Sequence, residues 1–380
     1  MVETRGASGS PQRVVIAGLG DTGVLVAVHL RRGFDVVGIS TRPALVSGQE
    51  LGNRLAEPAH WRQNFLLPFG RFRRLDGVQT VHGRITDVDT ERREVRVEQA
   101  DGAETVAPYD VLVIASGVTN GFWRHNRVEG LDTVEEGLAA VAAQVDAATT
   151  VAIVGGGATG VGVAVNLARH HADKQVHLFY SQDQPLPGYH PDTRARMVRH
   201  LERAGVHLHP DHRAAVPEGF RADRLTTDPV EWSTGQEPFA ADLVLWAIGE
   251  VRPNTDFLPA DLLDEHGFVR VDEHLEVPGY PGVFAIGDVA ASDPNRSSAR
   301  NWGYRVVTHN IKATVQGGGK LKRFSAPKYR WGSIAGLQDD GMVVFQPNGK
   351  SFRVPRWAVQ PLLFRLFTHL ALYGGLRRRT

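Results

Sequence analysis

The stretch VAIVGGGATGVGVAVNL (residues 151–167) decides the fold of this chain. It opens with an apolar run of strand type, turns through Gly155, Gly157 and Gly160, and continues with small and apolar residues at helical spacing. In such a unit the first glycine makes the turn, the second lets the backbone approach a pyrophosphate, and the third lets the helix pack on the strand. The helix N-terminus then offers free N–H groups and a positive dipole end to phosphate. The stretch therefore predicts a dinucleotide-binding loop.

A second stretch of the same design lies earlier in the chain. VVIAGLGDTGVLVAVHL (residues 14–30) carries its glycines at Gly18, Gly20 and Gly23. One fingerprint alone is weak evidence, but two of them in a chain of 380 residues are a strong signal. A protein that holds two dinucleotides usually passes a hydride between a nicotinamide and a flavin. The pair predicts an α/β fold with two Rossmann-like dinucleotide-binding domains.

The bulk composition is that of an ordinary globular protein and argues against several functions. The chain has 42% apolar and 22% charged residues, a net charge of +1 and no cysteine. The small net charge argues against nucleic acid as a partner. The lack of cysteine removes disulfides, thiolate metal sites and a redox-active cysteine pair. No metal site is expected, because the histidines at 170–171 and at 207 and 209 lack convergent partners in the sequence.

No targeting or membrane-spanning segment is expected. Residues 1–12 are polar, lack the apolar core of a signal peptide and predict a disordered tail. The chain has no apolar run of about 18 residues, so no transmembrane helix is expected. These features favour a cytoplasmic location.

The residues that end the second strand of each unit are unusual. Dinucleotide-binding folds normally place a carboxylate there, on the adenosine ribose. The first unit has Ser40, whose hydroxyl can still donate to the ribose, and the second has Tyr180 and Ser181. Asp21 puts a carboxylate into the first phosphate loop. We favour the interpretation that it faces solvent and caps the helix, since helix N-termini favour acidic residues.

Three further segments complete the pattern. YDVLVIASG (residues 109–117) and LVLWAIG (residues 243–249) read as buried strands that end in small residues, suited to lie against a nucleotide. VFAIGDVA (residues 283–290) reads as an apolar strand followed by a turn at Gly287 and Asp288. Elsewhere the pattern predicts a small antiparallel sheet made of residues 78–85, 93–98 and 105–107. A helix is predicted over residues 297–314. Residues 61–72 are aromatic and basic and form either a lid or part of the core.

With these pieces in place the chain resembles the flavoproteins with two dinucleotide-binding domains. It is most similar to type II NADH:quinone oxidoreductases and to the ferroptosis-suppressor and apoptosis-inducing-factor-like flavoproteins. The resemblance rests on GLGDTG, YDVLVIASG, GGGATG, LWAIG and GVFAIGD, which occur in the family's order. It implies an FAD domain made of residues 13–130 and 256–315 and an inserted NAD(P)H domain of residues 131–255. Residues 316–380 would form a small C-terminal α+β segment that ends in an apolar helix.

The resemblance also implies the cofactors and where they bind. FAD is expected on the first loop, and NADH or NADPH, the hydride donor, on the second, with the nicotinamide stacked on the flavin. Asp288 would accept a hydrogen bond from the flavin ribityl chain. The residues assigned to cofactor binding are Gly18, Gly20, Asp21, Thr22, Gly23, Ser40, Arg42, Ala115, Ser116, Gly117, Gly155, Gly157, Ala158, Thr159, Gly160, Tyr180, Ser181, Gly249, Gly287 and Asp288.

Two departures from the family concern the substrate pocket. The family commonly has a glutamate two residues after the last glycine of the second loop, where this chain has Gly162. A glycine inside a helix costs about 1 kcal/mol relative to alanine, so Gly162 either shapes a pocket or reflects drift. The glutamine pair that lines the quinone tunnel of type II dehydrogenases aligns near Trp302 and Gly303. Gly162 and Trp302 are therefore the substrate-pocket candidates, and no residue is identified as catalytic.

The expected function is an FAD-dependent NAD(P)H oxidoreductase that reduces a quinone or another small organic acceptor. One alternative is a flavoenzyme of specialised metabolism with a non-quinone substrate, which the changes at Gly162 and Trp302 favour. The other is a non-catalytic nucleotide-binding or sensor protein. Ser40 and Asp21 favour this last alternative, and the turn at Gly287 argues against it.

The C-terminal segment predicts a helix over residues 359–373, followed by three arginines at 377–379. A basic amphipathic helix can lie in a membrane interface with its arginines at the head groups, and the corresponding segment of type II dehydrogenases does so. Here apolar residues occupy more than one face, which favours packing on the protein body or on a second subunit. Peripheral membrane contact and a homodimer both stay open.

Overall fold

The computed structural model describes residues 11–47, 51–119, 125–216, 220, 224–248, 251–295, 302–317 and 319–378. The strands are β1 (Arg13–Ala17), β2 (Asp35–Ser40), β3 (Ala44–Val46), β4 (Leu66–Pro68), β5 (Val78–Asp89), β6 (Glu94–Gln99), β7 (Glu104–Pro108), β8 (Val111–Ile114), β9 (Val118–Thr119), β10 (Thr150–Val154), β11 (Gln175–Phe179), β12 (His207–His209), β13 (Leu243–Trp246), β14 (Arg252–Pro253), β15 (Val283–Ala285), β16 (Leu337–Gln338), β17 (Gly341–Phe345) and β18 (Ser351–Val354).

Helices connect these strands. The α-helices are α1 (Asp21–Leu30), α2 (Leu51–Ala56), α3 (Pro58–Phe65), α4 (Leu131–Ala147), α5 (Ala158–His170), α6 (Pro191–Arg203), α7 (Gly303–Gln316) and α8 (Arg356–Ala358). Short 3₁₀ turns occur at Phe69–Arg71, Arg73–Leu75 and Ala260–Leu262, and a π-helix spans Val359–Leu372. The helix predicted over 297–314 begins at Gly303, and residues 297–301 lie outside the described residues.

The larger sheet has the strand order β15-β8-β1-β2-β5-β6-β7, and its first five strands run parallel. The predicted antiparallel pairing of β5, β6 and β7 is confirmed, and these strands belong to the larger sheet. β5 pairs in parallel with β2 through Val78–His82 and then antiparallel with β6 from Gly83 onward. One long strand therefore serves both halves, and the antiparallel strands extend the parallel sheet. β1 is apolar throughout its buried length because both faces of the sheet are covered.

The smaller sheet has the order β12-β11-β10-β13 and is parallel throughout. β10 leads into α5 as β1 leads into α1, so each sheet carries one glycine-rich loop between strand and helix. The predicted α/β fold with two Rossmann-like sheets is confirmed.

Two short segments of the chain, which contain β9 and β14, connect the two sheets. The chain leaves the larger sheet after β8 and returns to it at β15, and β9 pairs antiparallel with β14 between those points. Side chains reinforce this crossing, since the Ser116 hydroxyl donates to the Asn254 carbonyl at 2.7 Å and the Thr119 hydroxyl donates to the Asn254 side chain at 2.8 Å. The carboxyl ends of the two sheets are thereby held near one another.

The C-terminal segment forms a three-stranded antiparallel sheet, β16-β17-β18, and then the π-helix. The predicted helix thus exists, but with wider turns: the Tyr373 amide donates to the Thr368 carbonyl five residues earlier, at 3.0 Å. Pro361 has no N–H to contribute in the first turn. Val359, Phe364 and Tyr373 are buried against the body of the protein. Within the described residues no helix is long and apolar enough to cross a membrane.

Candidate functional site

One cleft of about 750 Å³ runs between the two sheets and receives both glycine-rich loops. Most of the residues that the sequence assigns to FAD line this cleft. Of the described residues assigned to NAD(P)H, Ala158 and Thr159 line it. The cleft contains Gly18, Gly20, Asp21, Thr22, Ser40, Arg42, Ala115, Ser116, Gly117, Ala158, Thr159, Gly287 and Asp288. It is not lined by Gly23, Gly155, Gly157, Gly160, Gly162, Tyr180, Ser181 or Trp302. Gly249 lies outside the described residues.

The first loop shows why two of its three glycines, Gly18 and Gly23, are required. Gly18 has φ +108°, and a Cβ atom there would lie 2.5 Å from the Ala115 carbonyl oxygen. A Cβ on Gly23 would lie 1.8 Å from the Gly18 oxygen, so this glycine lets α1 approach the strand. Around Gly20, by contrast, nothing lies within 4 Å of the added atom. That open space at the helix N-terminus fits a phosphate group approaching the backbone.

The second loop repeats this arrangement. Gly155 has φ +129° and would bring a Cβ within 2.5 Å of the Ala247 carbonyl oxygen, while a Cβ on Gly160 would lie 1.9 Å from the Gly155 oxygen. Gly157 has open space like Gly20. Gly157 does not itself line the cleft, but the next two residues, Ala158 and Thr159, do, so the N-terminus of α5 opens on the cleft.

The turn after β15 meets the first loop. Gly287 has φ +87°, and a Cβ there would lie 3.1 Å from the Thr22 hydroxyl oxygen. Both residues of the turn, Gly287 and Asp288, line the cleft. The tertiary structure thus brings together two motifs that lie far apart in the sequence.

Just after the end of β2, Arg42 pairs with the carboxylate of Glu129, a residue far from β2 in the sequence. Ser40 accepts a 3.3 Å hydrogen bond from the Arg42 amide, and the Arg42 guanidinium pairs with Glu129 at 2.9 Å. Glu129 precedes α4 and is held by its own amide, which donates to the Thr41 carbonyl at 2.9 Å. The His125 ring nitrogen Nδ1 lies 3.1 Å from the same guanidinium. Burial and the positive charge of Arg42 lower the pKa of His125 to about 4. Sequence reasoning missed Glu129 and His125, since no motif spacing links them to β2.

Asp21 corrects a prediction. It does not cap α1, whose N-cap residue is Gly20 without a side-chain hydrogen bond, and it does not simply face solvent. The Ser47 hydroxyl donates to Asp21 at 2.7 Å, and the aspartate is half-buried in the cleft wall. Its charge also acts on Tyr373, whose pKa is raised by burial first and by Asp21 second.

Arg54 is a buried cation in the cleft that sequence reasoning missed. It is 7% exposed and its guanidinium lies 4.5 Å from the ring centroid of Trp61, a cation–π contact. Burial and the nearby Arg42 lower the pKa of Arg54 to about 9. Trp61 is fully buried, so the start of the aromatic and basic stretch is core and not a lid. A desolvated cation of this kind suits an anionic ligand.

Neither substrate-pocket candidate reaches the cleft. A Cβ on Gly162 would lie 2.7 Å from the carbonyl oxygen of Ile334, so this glycine allows α5 to pack against the C-terminal segment. Trp302 precedes α7 with φ +61°. The guanidinium carbon of Arg305 lies 4.2 Å from the Trp302 ring centroid, and the ring centroids of Trp302 and Phe367 lie 6.4 Å apart. The sequence made both positions substrate-pocket candidates, with drift left open for Gly162, and in the structure both pack against other segments of the chain.

Tyr180 and Ser181 follow β11 at the outer end of the second loop. Tyr180 is buried, and its Cβ would lie 2.6 Å from a Cβ on Gly156. The segment that follows folds back, because the Leu186 amide donates to the Gly156 carbonyl at 2.7 Å. This segment brings Tyr189 into the cleft wall beside Arg330 and Trp331 of the C-terminal segment. Sequence reasoning missed all three of these residues.

Residues 12–317 match the family model of the pyridine nucleotide-disulphide oxidoreductases. The chain belongs to this family. The predicted resemblance to flavoproteins with two dinucleotide-binding domains is confirmed. Solved structures of the same fold include the sulfide:quinone oxidoreductase of Aquifex aeolicus, with a TM-score of 0.68, 15% identity, and coverage of 96% of this chain and 92% of that one. Another is the putidaredoxin reductase–putidaredoxin complex, with a TM-score of 0.62, 21% identity, and coverage of 89% and 87%.

Similar curated proteins include oxidoreductase ptaL of Pestalotiopsis fici, at 31% identity over 57% of this chain and 58% of that protein. Human ferroptosis suppressor protein 1 is 28% identical over 55% of this chain and 56% of its own length. The chain therefore matches little more than half the length of these curated relatives.

Proposed function

We propose that this protein is an FAD-dependent NAD(P)H oxidoreductase. The observation that carries the proposal is the opening of two helix N-termini, those of α1 and α5, on one cleft. Each follows a glycine with open space where a phosphate would approach, Gly20 and Gly157. When bound, FAD accepts a hydride from the nicotinamide and then reduces a second substrate.

The chain's own residues divide between the two cofactors. For FAD we propose the loop from Gly18 to Gly23, the end of β2 with Ser40 and Arg42, the turn of Ala115, Ser116 and Gly117, and Gly287 with Asp288. Arg54 would add positive charge near the pyrophosphate. For NAD(P)H we propose the loop from Gly155 to Gly160, with Tyr180 and Ser181 after β11, and on the sequence pattern alone Gly249. The proposed domains are those predicted from the sequence, and the β9–β14 crossing supports them.

The second substrate is proposed to be a small organic acceptor that takes electrons from the flavin directly. The chain has no cysteine, so no thiol of its own can relay them. The name of the sulfide:quinone oxidoreductase favours a quinone as one class to test.

The test is the absorbance of purified protein, before and after anaerobic addition of NADH or NADPH. Protein that retains FAD and is bleached by either nucleotide supports the proposal. Flavin that binds but stays oxidised would favour a nucleotide-binding or sensor role instead. Protein that takes up no flavin from excess FAD, with no thermal shift, would overturn the proposal.

We further propose that the protein is cytoplasmic and docks on a membrane surface through the π-helix. The outer side of this helix carries four apolar side chains that are 46–56% exposed: Leu362, Leu366, Phe367 and Leu370. Trp357, just before it, is 74% exposed. In the sequence Arg356 precedes this helix, Arg365 lies in it, and Arg377 and Arg378 follow it, with Arg356 and Arg377 paired to Asp339 and Asp76. Apolar side chains with surrounding cations suit an anionic lipid surface. Burial of the same face in a homodimer is the competing outcome.

A further inference from the structure

We propose that Arg330 forms an anion-binding subsite on the NAD(P)H side of the cleft. It would take a phosphate of NAD(P)H or an acidic group of the second substrate. This inference rests on the function proposed above, and it requires that the molecule bound at Arg330 carries an anionic group. It concerns a residue of the C-terminal segment, which no dinucleotide motif in the sequence points to.

Arg330 is held in a defined position by backbone contacts. Its amide donates to the Gly188 carbonyl at 3.0 Å, and its side-chain Cδ would lie 3.4 Å from a Cβ on Gly188. Two residues later, Gly332 exchanges hydrogen bonds with Phe345 of β17, at 2.9 and 3.0 Å. The preceding Tyr329 packs edge-on against His190, with ring centroids 5.3 Å apart. The arginine therefore extends from residues 329–332, here called the strap, which contact the rest of the protein on both sides of Arg330.

The charge of Arg330 has no counter-ion within the described part of the chain. Two other arginines of the cleft, Arg42 and Arg84, each pair with a glutamate, at 2.9 and 2.6 Å. No carboxylate of the described residues pairs with Arg330, and its buried Nε atom has no hydrogen-bond partner there. A buried guanidinium Nε atom without a hydrogen-bond partner is costly, and an anionic ligand that accepts from it would remove that cost.

The surroundings of Arg330 connect it to the second glycine-rich loop. Tyr189 and Trp331 line the cleft beside it, as do Ala158 and Thr159 at the N-terminus of α5. The segment that carries Gly188 is bonded to that loop through Leu186 and Gly156, at 2.7 Å. A molecule bound between the loop and the strap therefore has both a helix N-terminus and a guanidinium available for its anionic groups. Planar guanidinium groups bind phosphate and carboxylate through two parallel hydrogen bonds.

The experiment compares FAD-loaded wild-type protein with Arg330→Met and Arg330→Lys. Arg353→Met is the matched control, since Arg353 lies in the same segment but pairs with Asp340 on the surface. In the first arm, calorimetric titration gives the Kd of NADH and of NADPH. In the second, anaerobically reduced protein is mixed with 1,4-naphthoquinone or with its 2-sulfonate, and reoxidation is followed against concentration.

Arg330→Met is expected to raise the Kd of both nucleotides by about 10- to 100-fold if the anion is a cofactor phosphate. If the anion belongs to the second substrate, the variant instead raises the half-saturating concentration of the sulfonate by a similar factor and leaves that of the neutral quinone unchanged. Arg330→Lys, which keeps the charge but not the fork, should fall between. Arg353→Met should match the wild type.

Wild-type values in both arms for Arg330→Met, with FAD content and Tm unchanged, would overturn the subsite. Should that variant fail to fold, Arg330→Gln, which removes the charge but keeps a polar side chain, replaces it, and wild-type values for Arg330→Gln in both arms would overturn the subsite. Failure of the proposed function is separate: it is seen as wild-type flavin that no nucleotide reduces, and the first arm still reports on Arg330.

Discussion

The backbone carbonyl oxygen of Ile334 lies 2.7 Å from the position that a Cβ atom would take on Gly162. The same contact is reinforced by Asn166, which is buried and donates to the carbonyls of Gly162 and Ala335, at 2.7 and 2.9 Å. Gln338 donates to the Asn166 side chain at 3.2 Å. A position where the family commonly has a glutamate is thus used here to seat the C-terminal segment on α5.

Gly162→Ala is expected to destabilise the protein although alanine favours a helix. The added methyl group must displace the Ile334 backbone, and overpacking of this kind costs about 1–3 kcal/mol. Gly137→Ala is the matched control, because Gly137 lies inside α4 and a Cβ there meets nothing within 4 Å. The control should be neutral or stabilising by up to about 1 kcal/mol. Equal free energies of unfolding for the two variants would contradict the packing role.

Asp288→Ala is expected to weaken FAD retention. The carboxylate lines the cleft beside the first loop, and hydrogen bonds to a charged acceptor contribute about 1.5–3 kcal/mol. The Kd of FAD, measured by titrating apoprotein, should rise by about 10- to 150-fold. Asp228→Ala, at an exposed aspartate outside the cleft, serves as the control. An unchanged Kd for the Asp288 variant would remove this residue from the proposed site.

The protein is expected to discriminate weakly between NADH and NADPH. A carboxylate after β11 would repel a 2′-phosphate, but Tyr180 and Ser181 supply none, and Arg194 is engaged with the carbonyls of Gln184 and Pro185. The two kcat/KM values should lie within about a hundredfold of each other. Ser181→Asp should shift the preference toward NADH. A wild-type ratio above that limit, or no shift in the variant, would count against this placement of the ribose.

Stability is expected to fall in mild acid, in part through His177. Burial, with repulsion from His207 and His209, lowers the pKa of His177 to about 4. The unfolded chain binds this proton near pH 6.5, so the stabilising contribution is complete above about 6.5 and is lost as the pH falls toward 4.

Tm measured across this pH range should therefore decline less steeply in His177→Phe than in the wild type. Some decline should persist, because the pKa of His125 is also lowered. His266→Phe, at a surface histidine, should keep the wild-type slope. A parallel decline in all three proteins would show that His177 is not responsible.

Replacing the outer face of the π-helix is expected to abolish binding to anionic vesicles. The triple variant Leu366→Ser, Phe367→Ser, Leu370→Ser removes exposed apolar area and leaves Val359, Phe364 and Tyr373 buried. Wild-type protein should pellet with phosphatidylserine vesicles and the variant should not. Phe352→Ser, at a 51% exposed side chain on β18, is the control and should still pellet. A change in molecular mass on gel filtration, with no vesicle binding by wild type, would indicate a homodimer instead.

Deletion of residues 359–380 should lower the Tm, in contrast to the triple variant. The deletion exposes the surfaces that Val359, Phe364 and Tyr373 cover, and loss of a buried phenylalanine alone costs about 3–5 kcal/mol. A deleted protein with wild-type Tm would mean that the helix does not contribute to the fold.

The sequence by itself determined the parts of this protein that depend on local spacing. Glycines at 18, 20 and 23, and again at 155, 157 and 160, follow an apolar strand at fixed spacing, so the two loops and the parallel sheets could be predicted, although the backbone that crowds Gly18 and Gly155 comes from Ala115 and Ala247. The tertiary structure alone decided the partners of Arg42, the packing of Gly162 and Trp302, and the arrival of Arg330 at the cleft. These depend on contacts between segments far apart in the chain, and no periodicity or motif encodes which distant side chain meets which. The π-helix is intermediate: its apolar composition predicted a helix, while its wider turns and inner face follow from packing on the body.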